Sequence, residues 1–163
     1  MGGVGMKMLR ILPFVALLLA TPALATPADE AAIRAHGREW VRAFKAGDIE
    51  ALMRLYTPDA EVALHGKPKL KGIAAIRGYF TPLLKSPPKA DFLLAEESLV
   101  VSGDQAFFLS KYWFTLHTPK GDIPDAGRSL IVYQKGKDGV WRLRVDIDQA
   151  APDVTFPAPP EAQ

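Results

Sequence analysis

The chain contains no cysteine. A disulfide framework, a thiolate-bound metal, a cysteine nucleophile and lipid attachment through cysteine are therefore excluded. Histidine is almost as scarce. His36, His65 and His117 are the three present, and no two stand at the spacing of metal ligands on one helix or hairpin. No metal is expected. A glycine-rich phosphate loop, a G-x-S-x-G turn and a Ser-His-Asp arrangement are missing as well, and no cofactor is expected. There is no internal repeat.

Long apolar runs are also lacking. The one candidate, Ile11 to Ala20, is interrupted by Pro13. It is too short for a bilayer, which needs about 20 apolar residues. It is preceded by Lys7 and Arg10 and followed by Thr21-Pro22-Ala23-Leu24-Ala25. A basic start, a short apolar stretch and an A-x-A site are the parts of a cleavable secretory signal. Residues 1–25 are read as that signal, and the protein is expected to be exported, to the periplasm or the medium, with no membrane attachment after cleavage. The whole chain has 20 Lys+Arg and 18 Asp+Glu. Lys7 and Arg10 leave with the signal, so the remainder is formally neutral. Without excess positive charge, nucleic-acid binding has no electrostatic basis.

Residues 26–150 are expected to form one domain. Thr26 can cap a helix, Pro27 suits its first turn, and Asp29 and Glu30 complement its positive end. Ile33, Gly37, Trp40, Val41 and Phe44 follow at helical spacing. Gly47 can end that helix, and Asp48 can cap a second one carrying Ile49, Leu52, Met53, Leu55 and Tyr56, which Pro58 stops. Ala60–His65 alternates as a strand. A turn with Lys67, Lys69 and Lys71 leads to a third helix from Gly72 through Leu84, with Pro82 kinking or ending it. Pro87-Pro88 closes the helical part. Four strands follow: Phe92–Val101, Ala106–Thr118, Ser129–Gln134 and Val140–Gln149. Ser102-Gly103-Asp104, Pro119–Asp122 and Gly136–Gly139 supply hairpin turns between them. Helices followed by hairpin-linked strands argue an α+β fold with an antiparallel sheet. Residues 151–163, rich in Pro and Ala, are expected to be a disordered or extended tail.

Ala46-Gly47-Asp48-Ile49-Glu50-Ala51-Leu52, Leu55-Tyr56-Thr57-Pro58-Asp59-Ala60, Lys71-Gly72-Ile73-Ala74-Ala75-Ile76-Arg77 and Asp138-Gly139-Val140-Trp141-Arg142-Leu143 occur in this order. The set resembles the nuclear transport factor 2-like superfamily, in its SnoaL-like and ketosteroid-isomerase-like branch. The resemblance implies a cone: a strongly curved antiparallel sheet wrapped around three N-terminal helices, open at its wide end, often in a homodimer. Ketosteroid isomerase uses an Asp base with a Tyr and a protonated Asp as donors. Carried over from the shared Gly47–Glu50 block, the base position falls on Leu64, with His65 one residue on, and the donor positions fall on Trp40 and Ser129. Leu64 cannot take a proton and Trp40 offers only an indole N–H, which argues against steroid isomerisation by that route.

The resemblance also suggests which side chains look inward: Phe108, Ser110, Tyr112 and Phe114 on one strand, and Arg144, Asp146 and Asp148 on the last. Alternation then puts Trp141, Leu143, Val145 and Ile147 on the opposite face. Taken alone, that pattern reads as apolar in and charged out. Either the charged face lines a pocket while the apolar face packs in a dimer, or the charged face is solvated. In the first case Asp146 is the candidate acid or base, Arg144 its partner or an anion anchor, and Trp40, Phe44, Tyr56, Leu64, Phe80, Phe108, Ser110, Tyr112 and Ser129 the ligand-contacting wall. Three roles follow. The domain binds a small apolar or weakly acidic molecule; or it is a cofactor-free isomerase, cyclase or hydratase using Asp146; or it binds a protein through an apolar sheet face.

Overall fold

A computed structural model describes residues 26–85 and 89–159. The proposed signal at 1–25, the Pro87-Pro88 break and residues 160–163 lie outside them. Helix α1 (Pro27–Ala46) begins as its sequence suggests. The Thr26 hydroxyl accepts from the Asp29 N–H at 3.2 Å. Gly47, at φ 69°, closes it in the left-handed region that favours glycine. Asp48 caps α2 (Ile49–Arg54), accepting from the Ala51 N–H at 2.9 Å.

Helix α2 is shorter than expected. Tyr56 already opens strand β1 (Tyr56–Ala63). Pro58 disfavours helical backbone at Thr57, and the Leu143 N–H donates to the Leu55 carbonyl at 2.8 Å, drawing the chain into the sheet. A two-residue strand β2 (Leu70–Lys71) pairs antiparallel with β1. Helix α3 (Ile73–Leu83) carries Pro82 in its last turn and ends one residue beyond it.

Strands β3 (Ala90–Ser102), β4 (Gln105–Thr118), β5 (Gly121–Lys135) and β6 (Trp141–Ala150) complete one curved six-stranded sheet in the order β2-β1-β6-β5-β4-β3. The fold is α+β, with the helices against the concave face. The sheet is antiparallel except where β1 meets β6 in parallel, because the whole β3–β6 meander separates them in sequence. Strand β5 starts eight residues before the expected Ser129. Its first part overhangs β6, whose pairing begins only at Gly127, so Pro124 there removes no hydrogen bond from a central ladder.

The concave face packs Ile33, Ala43 and Phe44 of α1, Leu52 of α2 and Ile76 and Phe80 of α3 against Val62, Ala106, Tyr133 and Leu143. Bulges bend the sheet around them. The one in β6 decides the functional reading. Leu143 pairs with Tyr133 and Val145 with Val132, which leaves Arg144 as an extra residue. Alternation restarts there. Trp141 and Leu143 point inward before the bulge, and Asp146 and Asp148 point inward after it. The conflict between apolar and charged inner faces is thereby removed, because the inner face is apolar at the closed end and acidic towards the mouth.

The described part of the segment expected to be a disordered or extended tail, residues 151–159, packs on the sheet. Ala151 and Val154 are buried against Trp113 on the outer sheet face, and Trp113 is only 4% exposed. Its indole N–H donates to the Thr155 carbonyl at 2.8 Å. Arg128 bridges Asp153 at 2.6 Å and Glu97 at 2.8 Å beside it. Ala and Val supply the apolar contact that a proline-rich composition conceals.

Candidate functional site

The cone encloses a cavity of about 590 Å³ between helices α1 and α3 and the concave sheet. That volume lies in the usual range for small-molecule sites. Its wall is mainly aromatic. Trp40 stacks on Phe44 with ring centroids 5.3 Å apart and meets Phe80 edge-on at 6.1 Å. Phe92 and Phe114 continue the wall at 5.7 Å from each other. Helical spacing brings Trp40 and Phe44 to one face of α1, and strand alternation puts Tyr112, Phe114 and Leu116 on the concave side of β4.

Two polar regions interrupt this wall. Deeper in the cavity lies Asp146, flanked across the sheet by Val62 and Ile131. Burial, and then the charge of Asp148, push its carboxyl up to about 7, and no hydrogen bond lowers it. Its charge in turn pushes the phenols of Tyr56 and Tyr133 up, adding to their burial. His36 lies on the same wall. Its Nε2 lies 2.9 Å from the Leu55 carbonyl, which makes it the protonated nitrogen, and Nδ1 has no partner. Burial pushes its basicity down, so it stays a neutral acceptor.

Nearer the mouth, His65 sits between two carboxylates. Nδ1 is 3.1 Å from Asp148 and Nε2 is 3.4 Å from Asp125. The His65 backbone N–H donates to the same Asp148 oxygen at 2.6 Å. The Tyr112 hydroxyl lies 3.3 Å from Nδ1 and donates to Asp125 at 3.4 Å. Gly127 makes this arrangement possible, because a Cβ there would lie 2.0 Å from the Gln149 carbonyl and 3.1 Å from the Tyr112 hydroxyl.

The sequence pattern of the SnoaL-like domain matches residues 37–151, most of the chain and all of the cavity-bearing sheet. The chain belongs to the SnoaL-like domain family. Solved structures agree in fold. A ketosteroid isomerase-like protein from Erwinia carotovora atroseptica is 21% identical with a TM-score of 0.63, the match covering 77% of this chain and all of that one (100%). An NTF2-like protein with a cystatin-like fold from Novosphingobium aromaticivorans is 22% identical, TM-score 0.65, covering 80% and 86%. A conserved protein from Planctomyces limnophilus is 20% identical, TM-score 0.69, covering 75% and 95%. At such identities the likeness is one of fold. No curated protein matches the chain.

Within this SnoaL-like domain, the cavity brings together Trp40, Phe44, Leu64, Phe80, Tyr112, Ser129 and Asp146 of the expected site. Tyr56 stands one layer behind, its hydroxyl accepting from the Trp40 indole at 2.8 Å. Ser110 is buried under the wall, 3.0 Å from the Ser129 hydroxyl. Phe108 faces inward but packs into the core. Arg144 does not line the cavity. The bulge turns it to Asp59, where it bonds the carbonyl at 3.0 Å and the carboxylate at 3.3 Å. It neither holds Asp146 ionised nor faces a ligand. Of the three turn lysines, Lys69 and Lys71 pair with Glu61, and Lys67 reaches the cavity edge.

His36, Tyr79, Phe92 and Tyr133 were not in the expected site and line it. His36 lies three residues after Ile33 and four before Trp40, a spacing that puts it on their inward face of α1. Trp141, placed by alternation with an outer apolar face, is instead inside, and its indole N–H donates to Asp29 at 2.9 Å.

Proposed function

We propose that this SnoaL-like domain binds a small, mostly apolar molecule in its cone, with Asp146 as the polar anchor. The observation that carries the reading is the Asp146 carboxyl, without a hydrogen bond among the described residues, set in an aromatic-walled cavity of about 590 Å³. Asp146 is half-buried and lines the cavity, so a bound molecule can pair with its carboxyl directly. Native mass spectrometry of the wild type and Asp146→Asn tests it. A discrete adduct on the wild type, weakened in the variant, supports the anchor. An adduct equally held by both refutes it.

A second reading has its own support. A carboxyl near pH 7 matches the requirement of a group that both gives and takes protons. On that reading Asp146 is the acid/base of an isomerase- or hydratase-type reaction. Turnover of a bound carbonyl compound that survives Asp146→Asn would rule it out.

We also infer export after cleavage at Ala25, and pairing of two copies through the outer sheet face. Phe107 (42% exposed), Leu130 (39%) and Ile147 (45%) stand there, and Leu130 and Ile147 are cross-strand neighbours. This surface replaces the Trp141 face as the candidate for protein contact. The mass of the mature protein and its sedimentation test both points.

A further inference from the structure

The chemistry of the cavity wall narrows the molecule that fits it. We propose that the ligand is a small hydrophobic amine, its ammonium group lying between Asp146 and Asp148 and its apolar body against the aromatic wall. The inference rests on the small-molecule reading above.

Three observations carry it. The first is a one-sided set of polar groups. Asp125, Asp146 and Asp148 all line the cavity. Asp146 and Asp148 are successive inward residues on β6, about 7 Å apart along a strand. Against these three acids stand Lys67 at the edge and His65, which is already engaged by Asp148 and Asp125. Arg144, the cation nearest in sequence, is turned outward to Asp59.

The second is unused accepting capacity. Among the described residues Asp146 has no hydrogen bond, and only one oxygen of Asp148 accepts, from the backbone and ring of His65. An ammonium brings up to three donors and no acceptor. A carboxylate in an apolar-walled cavity is stabilised by pairing, and among the described residues no cation pairs with the half-buried Asp146. The third is the wall itself. Trp40, Phe92 and Phe114 surround the space beside these acceptors, and aromatic faces attract cations. The same wall repels an anion, so of the apolar or weakly acidic molecules expected, the acid-lined site disfavours the acidic ones.

The pH dependence gives a sign that separates ligand classes. An amine requires ionised Asp146, whereas a carbonyl or ether would accept from its protonated form. The groups facing Asp146 are Asp148 on β6, Tyr56 on β1, Tyr133 on β5, Tyr112 on β4, His36 on α1 and Tyr79 on α3, with His65, Asp125 and Lys67 nearer the mouth. Among the buried groups here the phenols are pushed up and His36 is pushed down. These keep one charge state across the range in which Asp146 titrates.

The test compares 1-naphthylmethylamine, 1-naphthylmethanol and 1-naphthoate by calorimetry and NMR, on the full domain and on Asp146→Asn. The expected result is amine binding at least about tenfold tighter than alcohol binding at pH 8, with naphthoate weakest. Amine affinity should fall about a hundredfold between pH 8 and pH 5, following protonation of a group near 7. Asp146→Asn should remove the advantage of the amine, with cooperative urea unfolding and dispersed amide NMR signals showing that the variant is folded. Alcohol binding equal to or tighter than amine binding overturns the amine assignment and leaves the pocket reading standing. Failure of all three probes to bind overturns both.

Discussion

Replacing Asp146 by asparagine should remove a pH-dependent destabilisation built into the cavity. The carboxyl is held at about 7 in the folded chain, against 3.8 for an ordinary aspartate. Each unit of difference corresponds to about 1.4 kcal/mol. Ionising this group therefore costs the fold about 4 kcal/mol in total, as an upper figure, since water entering the cavity solvates the charge. The folded state holds the proton more tightly than the unfolded one. Stability from this group is complete below the unfolded value and is lost as pH rises through the folded value. About 2–3 kcal/mol of the loss falls between pH 5 and pH 8. His36, pushed down by burial, contributes with the opposite sign, and His117, pushed up by Asp122 and Asp91, with the same sign. Both are present in the two proteins and cancel in the difference. Urea unfolding of wild type and Asp146→Asn at pH 5 and pH 8 reads it. The variant should gain about 2–3 kcal/mol over the wild type between these values. Stability differences that stay the same at the two pH values would refute the reasoning.

Other perturbations test separate parts of the account. Trp113→Ala should destabilise by about 3–5 kcal/mol, and removal of residues 151–163 should shift Trp113 fluorescence to the red; an unchanged spectrum would mean that the tail does not cover it. Gly127→Ala should cost about 1–3 kcal/mol, because its Cβ would meet the Gln149 carbonyl at 2.0 Å; the urea midpoint measures this. Arg144→Ala should leave ligand affinity unchanged, since Arg144 faces Asp59 outside the cavity; a weakened complex by calorimetry would return Arg144 to the site.

Much of the frame is legible in the residues. Thr26, Gly47 and Asp48 act locally, as a cap, a left-handed stop and a cap, and their roles follow from side-chain chemistry within a few residues. What sequence missed depends on partners far along the chain. Tyr56 continues a helical pattern, but Leu143 takes the Leu55 carbonyl into the sheet. The strand expected from Ser129 leaves out residues 121–128, which pair with β4 as far as the turn at Gly121. The bulge at Arg144 is the costliest omission, because one unpaired residue exchanges the two faces of β6. Asp146 was found despite it, since it lies past the bulge, whereas Arg144 was assigned to the wrong side. His36 could have been found from α1 alone, by its place on the Ile33–Trp40–Phe44 face.

The central claim is that the cone presents Asp146, raised in pKa by burial and by Asp148, as the polar anchor for a small molecule. Carbon-13 NMR of the Asp146 side-chain carboxyl, titrated from pH 3 to pH 9 and assigned with Asp146→Asn, tests it most directly. The account expects a midpoint near 7, moved by any molecule that occupies the cavity. A midpoint near the ordinary aspartate value of 3.8, unaffected by ligand, would contradict it.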